Sequence, residues 1–212
     1  MDTNQRLLGI QGLLTELHGD VESLGQSYAK ILELLGRLES SSQRDDLTGL
    51  LRRNAFFSKW ESLLRECEQA GRECGVLLID IDHFKRVNDT MGHATGDAVI
   101  CAVAEVLQKY EAETPKALAA RLGGEEFALV AEGTEAELLS LAQQIRRTVE
   151  TLHGPAVKAD SQASPKEWRC TVSIGTASSV ALRTRDAQEL IRQADEALYS
   201  AKEGGRNRVS AA

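Results

Sequence analysis

The first residues that could do chemistry follow a short apolar run. The run Val76–Ile81 ends in Asp80-Ile81-Asp82, so two aspartates lie two positions apart. Because side chains in a strand alternate between its faces, this spacing places both carboxylates on one face. Mg²⁺ prefers oxygen ligands and usually takes only one or two carboxylates, leaving positions for water and phosphate. The pattern predicts a divalent-cation site, and the alternative is a pair of aspartates that cap the following turn.

A second group of candidate residues lies in a predicted turn. The run Arg121–Phe127 contains Gly123-Gly124, the residues expected in a two-residue hairpin with positive φ angles, followed by Glu125-Glu126. Neighbouring strand residues point to opposite faces, so we expect the two glutamates to have different roles. Glycines also let a phosphate or a sugar approach the backbone closely. The alternative is a plain charged hairpin tip.

Apolar periodicity predicts the elements that position these two groups. Strands alternate with helices and include one tight hairpin, which indicates an α/β sandwich with a mixed sheet. The predicted helices are Asn54–Ala70, Gly96–Tyr110, Glu135–Leu152 and Asp186–Glu203, and the predicted strands are Val76–Ile81, Ala117–Leu122, Phe127–Ala131 and Trp168–Ala177.

The N-terminal segment keeps a seven-residue apolar register. One core position is occupied by Leu7, Leu14, Val21, Tyr28 and Leu35, and the other by Ile10, Leu17, Leu24, Ile31 and Leu38. Such a repeat predicts a coiled coil over residues 1–41, separated by a polar break from a catalytic domain over 42–212. We expect a homodimer. A four-helix assembly and a helix folded back onto its own domain are the alternatives.

Composition excludes several classes of protein. The formal net charge of −7 argues against a nucleic-acid partner, because such proteins usually carry a basic field. No apolar run approaches the roughly 18 residues that a membrane span needs. The N-terminus lacks a secretory pattern, so a cytoplasmic location is expected. The four cysteines form no Cys-x-x-Cys pair, which argues against a zinc site and favours reduced thiols.

The order and spacing of the motifs resemble those of the GGDEF family of diguanylate cyclases. The resemblance covers about Asp45 to Val209, and Gly123-Gly124-Glu125-Glu126-Phe127 is a variant of the family signature. The other matching segments are Asp45–Leu50, Asp80–Asp89, Gly92-His93, Gly96-Asp97, Val172–Gly175 and Ala194–Asn207.

This resemblance implies a fold and an activity. The fold would be α/β: a GGDEF domain of the nucleotide-cyclase, palm-like type, with a central mixed sheet surrounded by helices and an N-terminal coiled-coil helix before it. The activity would join two GTP molecules into cyclic di-GMP and release two pyrophosphates, in bacterial second-messenger signalling. The implied cofactor is Mg²⁺ or Mn²⁺. The implied partners are GTP and a second copy of the chain, which together would form the active dimer.

The resemblance also implies roles for individual residues. Asp80 and Glu126 would hold the metal by their carboxylates and Ile81 by its carbonyl, while Glu125 would lie near the 3′-hydroxyl as a base. The guanine edge would be read by Asn88 and Asp97, and a carboxylate there accepts hydrogen bonds that adenine does not offer, which favours GTP over ATP. The alternative for these two residues is helix capping. The rest of the implied GTP site consists of His83, Phe84, Lys85 and Gly124.

The last helix supplies the implied phosphate contacts. Lys202 and Arg206 are four apart, which predicts one helix face, and the resemblance places them at the β and γ phosphates together with Lys85. A solvated helix end is the alternative. Thr114 and Ala117 stand where many members carry the Arg-x-x-Asp product-inhibition motif, so we expect no such site. The competing functions are a non-catalytic module that binds GTP or cyclic di-GMP, and a cyclase that makes an adenine-containing dinucleotide.

Overall fold

The computed structural model of the chain describes residues 28, 30, 43–157, 167–184 and 186–212. The chain divides into two units, Met1–Ser42 and Gln43–Ala212. Within the first unit, Tyr28 and Lys30 are helical and exposed. The rest of the predicted heptad register lies outside the described residues, so the coiled coil stays a prediction.

The second unit alternates strands and helices. Its helices are α1 (Arg53–Gln69), α2 (Phe84–Met91), α3 (His93–Glu113), α4 (Glu135–Glu150) and α5 (Ala187–Glu203). Its strands are β1 (Leu51–Arg52), β2 (Cys74–Ile81), β3 (Leu118–Gly123), β4 (Glu126–Glu132), β5 (His153–Pro155), β6 (Glu167–Arg169), β7 (Val172–Ser178) and β8 (Val209–Ala211). Among the described helices, none is long and apolar enough to cross a membrane.

The main sheet is mixed, as predicted. Its strand order is β1-β3-β4-β2-β7-β8. The pairs in the centre of the sheet, β3 with β4, β4 with β2 and β2 with β7, are antiparallel, whereas β1 with β3 and β7 with β8 are parallel. A separate two-stranded sheet joins β5 to β6. Strand β2, which carries Asp80, therefore lies in the interior of the main sheet between β4 and β7.

Two hydrophobic clusters cover the two faces of β2. Leu77 and Ile79 belong to the cluster that includes α3 and α4, and Val76 and Leu78 belong to the cluster that includes α1 and α5. Every residue of β2 is buried, because helices cover both faces of the sheet. This explains its unbroken apolar sequence. Because side chains alternate between the two faces of a strand, Asp80 lies on the same face as Val76 and Leu78, the face covered by α1 and α5.

The predicted strand Trp168–Ala177 is wrong as a single element. It is divided into β6, which belongs to the small sheet, and β7, which belongs to the main sheet. The break falls at Thr171, whose carbonyl accepts the backbone N–H of Asp82 at 2.9 Å and whose hydroxyl donates to the Asp82 carboxylate at 2.7 Å. These bonds hold the chain at the end of β2, so the strand cannot continue past this point.

The helix α2 was not predicted, and α3 begins three residues before its predicted start. Gly92 separates the two helices with a φ of 83°, a conformation that favours glycine. Only Phe84 is buried among the residues of α2. A helix this short and polar has too weak an apolar period to be recognised in the sequence.

Candidate functional site

Asp80 and Glu126 lie directly opposite each other on adjacent strands. They are Cα partners in the antiparallel pair of β2 and β4. Residues paired in this way have side chains on the same face of the sheet, with Cβ atoms about 5 Å apart. Asp80 is 8% exposed, whereas Glu126 is exposed. The fold thus brings together the two carboxylates that the sequence assigned to a metal, one buried and one open to solvent.

A lysine from α5 completes this group. Lys202 Nζ lies 2.9 Å from Asp80 Oδ2. Burial raises the pKa of Asp80 above its ordinary value, the Lys202 ammonium opposes that rise, and the negative charges of Glu125 and Glu126 add to it. Three carboxylates therefore influence one another beside a single ammonium, which leaves a net negative charge at this end of β2.

The turn before Glu126 differs in one detail from the prediction. Gly123 ends β3 and pairs with Glu126, so the two turn residues are Gly124 and Glu125 rather than the two glycines. Gly124 has a φ of 50°, as a turn of this kind requires. The Glu125 carbonyl accepts the Ile81 N–H at 3.3 Å. The turn is thereby attached to the end of β2, and Glu125 lies outside the strand, which keeps it distinct from Glu126.

Arg121 holds the same turn from the other side, a role that was not predicted from the sequence. Its Nε donates to the Gly124 carbonyl at 3.0 Å, and its Nη1 donates to Asp45 Oδ1 at 3.1 Å. Asp45 also accepts hydrogen bonds from the Thr48 N–H and hydroxyl, and these contacts lower its pKa against the effect of burial. The available signal in the sequence was Asp45, the first residue of the matching segment Asp45–Leu50.

Asn88 and Phe84 meet α3 at Gly96. A Cβ placed on Gly96 would lie 2.0 Å from Asn88 Oδ1 and 3.1 Å from Phe84 Cζ, so only glycine permits this approach. Asp97, the next residue, is exposed. The helix-capping alternative is wrong for Asn88 and Asp97, because the N-cap residues of α2 and α3 are His83 and Gly92.

Asp82 is not available as a metal ligand. Its carboxylate accepts hydrogen bonds from the Thr171 hydroxyl at 2.7 Å, the Ser173 hydroxyl at 2.7 Å and the Asn207 N–H at 2.9 Å. It is 6% exposed. The prediction of two aspartates facing one cation therefore fails for Asp82, which instead connects β2, β7 and the segment before β8.

Lys202 and Arg206 do not share a helix face. The helix α5 ends at Glu203, and Arg206 lies beyond it with a left-handed φ of 64°. Its N–H donates to the Ala201 carbonyl at 3.1 Å, which closes the turn after the helix. Residues four apart share a face only within a helix, and Gly204 and Gly205 end this helix before Arg206.

The predicted site residues thus fall into two groups. Asp80, Glu125, Glu126 and Lys202 surround the end of β2, while Phe84, Asn88 and Asp97 lie at the junction of α2 and α3. No hydrogen bond or ion pair among the described residues joins these groups. His83 has a left-handed φ of 56°, and Lys85 is exposed.

Two further observations bear on ligands. Among the described residues, no three His, Cys, Asp or Glu side chains are placed together as metal ligands.

At the position expected for product inhibition, Thr114 is the C-cap residue that follows α3, and Ala117 is buried. Thr114 lines a cleft of about 370 Å³ whose charged residues are glutamates, namely Glu113, Glu132 and Glu137.

The sequence matches one family model over most of its length. The model is described as "Diguanylate cyclase, GGDEF domain", and it matches residues 42–208. Over 180 residues the chain is 37% identical to the probable diguanylate cyclase DgcT of Escherichia coli K12, a match that covers 84% of the chain and 38% of the relative. Diguanylate cyclase DgcM of the same strain is 39% identical over 177 residues, 83% of the chain and 40% of the relative. The chain spans about two fifths of these curated relatives.

Solved structures resemble the fold. The crystal structure of the coiled coil and GGDEF domain of DgcB from Caulobacter crescentus, in complex with c-di-GMP, is 32% identical with a TM-score of 0.76. That match covers 92% of this chain and 99% of the other. The GGDEF domain of DgcB alone, also with c-di-GMP, is 36% identical with a TM-score of 0.70, covering 80% and 95%.

Proposed function

Because the chain belongs to the GGDEF family of diguanylate cyclases, we propose that it condenses two GTP molecules into cyclic di-GMP and releases two pyrophosphates. The observation that carries this proposal is the pairing of Asp80 with Glu126 across β2 and β4, beside a turn that presents Glu125. The relatives named above are a probable diguanylate cyclase and a diguanylate cyclase, which supports the proposed activity.

The carboxylates at the end of β2 suit a divalent cation. Asp80, Glu125 and Glu126 place more negative charge there than Lys202 neutralises, and burial, with a smaller contribution from the like charges, raises the pKa of Asp80. Asp80 and Glu126, with the Ile81 carbonyl, would hold Mg²⁺, which accepts two carboxylates and leaves positions for phosphate oxygens. When bound, the metal would stabilise the charge that develops on the phosphate during the reaction.

Basic residues would bind the triphosphate. Lys202 lies at the carboxylate group, where its ammonium would contact the phosphates, and Arg206 and Lys85 would contribute further charge. Asn88 and Asp97 would accept hydrogen bonds from the guanine ring N–H and exocyclic amine. Of this pair, Asp97 is the exposed one and so is free to meet a base.

The bond changes would occur twice. The 3′-hydroxyl oxygen of one GTP attacks the α-phosphorus of the other, the bond from that phosphorus to the bridging oxygen breaks, and pyrophosphate leaves. Glu125 would accept the hydroxyl proton, and the bond from the Ile81 N–H to its backbone carbonyl supports this by fixing the turn that carries it. A second, symmetric step closes the ring. Because each domain binds one GTP, two domains must face each other, and the active form is a homodimer.

The cleft at Thr114 would not hold the product. A cyclic dinucleotide carries two phosphate charges, and the charged side chains of this cleft are carboxylates. We therefore propose that the enzyme lacks feedback inhibition through this surface.

The test is an incubation with Mg²⁺ and GTP, ATP or both, with the products identified by mass spectrometry. We expect cyclic di-GMP from GTP, no cyclic product from ATP, and a fall of at least about a hundredfold in Glu126→Gln. The matched control is Glu113→Gln, an exposed glutamate of α3, which should keep full activity. GTP binding without any cyclic product would instead identify a nucleotide-binding scaffold.

A further inference from the structure

A cleft of about 530 Å³ opens beside α2, and neither Asp80 nor Glu126 lines it. One wall is formed by α2 and by His83 just before it. The other is formed by Arg169 and Cys170, at the end of β6. In the pair of β5 and β6, Arg169 lies opposite His153 at the end that borders the cleft, and Glu167 lies opposite Pro155 at the other end.

Two arginines line this cleft without a carboxylate partner among the residues that the structure describes. Arg86 of α2 and Arg169 of β6 are both exposed, and within the described ranges neither makes a side-chain hydrogen bond or ion pair. The chain has 32 acidic and only 25 basic residues, so an arginine would readily find a carboxylate. Two unpaired guanidiniums facing one cleft in an acidic protein therefore form a local positive site.

The acidic residues in the same cleft are already engaged. Asp82 accepts three hydrogen bonds from Thr171, Ser173 and Asn207. Glu150 accepts from Arg146 at 3.0 Å and from the Asn207 amide at 2.6 Å. The hydrogen-bonding capacity that remains toward a ligand is thus largely that of donors, and a guanidinium can donate two parallel bonds to a phosphate.

The base of the cleft is apolar. Val87 and Met91 are half-buried, and Cys170 is 6% exposed. Burial raises the pKa of the Cys170 thiol to about 12, so this side chain stays neutral at physiological pH. An occupant would therefore place a charged head at the arginines and an apolar body against these three side chains.

We infer that this cleft binds a small phosphate monoester with an apolar body, at a site that shares only His83 with the residues proposed for GTP. The cleft reaches the proposed catalytic residues through the chain itself. Asp82 and His83, which line it, directly follow Asp80 and Ile81, and α2 also carries Asn88. An occupant would therefore restrain the segment that joins the metal site to the guanine site. This inference concerns binding and does not depend on the cyclase activity.

The experiment is isothermal titration calorimetry of phenyl phosphate into the full chain. We expect one binding event per chain, weakened at least about tenfold in Arg86→Met and in Arg169→Met, because each variant removes a charge-assisted pair of hydrogen bonds. Inorganic phosphate should bind at least about tenfold more weakly than phenyl phosphate, since it cannot use the apolar base.

Two control variants locate the site. Lys59→Met removes an exposed charge of α1, on the other side of the sheet, and should leave binding unchanged. Lys202→Met should also leave it unchanged. The inference is overturned if phenyl phosphate does not bind, if both arginine variants bind it as tightly as the original chain, or if only Lys202→Met loses binding. Equal affinity for inorganic phosphate would overturn the apolar part of the site.

Discussion

At the scale of single residues, Asp80 combines a stability cost with a proposed role in metal binding. Its carboxylate is buried beside Glu125 and Glu126, and burial raises its pKa above the ordinary value near 4. A carboxyl whose pKa is higher in the folded state binds its proton more tightly there. The folded state therefore loses stability as the pH rises from the ordinary value through the raised one.

We predict that Asp80→Asn melts higher than the original chain at pH 7, by about 2–4 °C, while its cyclase activity is lost. The amide cannot ionise, so the gain in melting temperature should be absent near pH 3 and appear as the pH rises. Calorimetric melting curves from pH 3 to 8 measure this. If Asp80→Asn is less stable than the original chain at pH 7, then the ion pair between Asp80 and Lys202 stabilises the fold by more than burial of the Asp80 carboxylate costs.

The residue scale is also where the sequence predicted most. The different roles expected of Glu125 and Glu126 follow from strand alternation and a hairpin signal, which are local rules, whereas the pair Asp80 and Glu126 came from the family resemblance. Asp82 could not be placed in this way. Its three donors come from Thr171 just before β7, from β7 and from the segment before β8, far away in sequence, so only the tertiary fold shows that its carboxylate is occupied.

At the scale of elements, Asp82 determines how three segments meet. It holds the end of β2 against β7 and, through the Asn207 N–H, fixes the left-handed turn that contains Arg206. Its loss would leave buried donors without an acceptor.

We predict that Asp82→Ala lowers the free energy of unfolding by about 3 kcal/mol or more and raises the KM for GTP more than it lowers kcat. Urea denaturation and steady-state kinetics measure the two effects. Asp82→Asn keeps a carbonyl oxygen and should recover part of both. If Asp82→Ala loses stability but keeps its KM, then the position of Arg206 does not depend on this residue.

The contact between β7 and α5 leaves no room at Gly175. A Cβ there would lie 2.0 Å from the Ala194 carbonyl oxygen and 2.3 Å from the Leu198 nitrogen, both backbone atoms of α5. Gly175→Ala must therefore displace the helix that carries Lys202. We predict a loss of at least about 3 kcal/mol of stability, measured by urea denaturation.

The matched control is Gly71→Ala, which has open space around it but a φ of 63°. Gly71→Ala should lower the free energy of unfolding by about 1–2 kcal/mol, the cost of an alanine in the left-handed backbone conformation. Equal losses in the two variants would show that the backbone conformation, rather than the helix contact, determines the effect at Gly175.

Helices and strands could be predicted where their apolar period was long. The predictions failed where tertiary contacts determine the bounds of an element. The four longer helices follow from apolar spacing. The division of Trp168–Ala177 depends on the bonds between Thr171 and Asp82, and the separation of Arg206 from α5 depends on where the helix ends. Strands β1 and β8 have two and three residues, too few for any period to be recognised.

At the scale of the whole molecule, the proposed reaction requires two domains to meet. A coiled coil would raise the effective concentration of one domain at the other to about the millimolar range. We predict that a chain starting at Ser42 is monomeric. At a protein concentration on the order of 0.1 μM, it should be at least about tenfold less active per molecule than the full chain. Light scattering and product assays measure this.

Activity of the shortened chain should recover as its concentration rises, or when an unrelated parallel two-stranded coiled coil replaces residues 1–41. A shortened chain that is dimeric and fully active would show that the catalytic domain associates by itself.

The two edges of the main sheet bear on the behaviour of the protein in concentrated solution. Its outermost strands, β1 and β8, are two and three residues long. Edges this short offer few unpaired backbone groups to another molecule, and they protect a sheet protein from aggregation. If the proposed reaction brings two copies of the chain together, such edges are an advantage, because close approach then favours side-chain recognition over the indiscriminate joining of sheets.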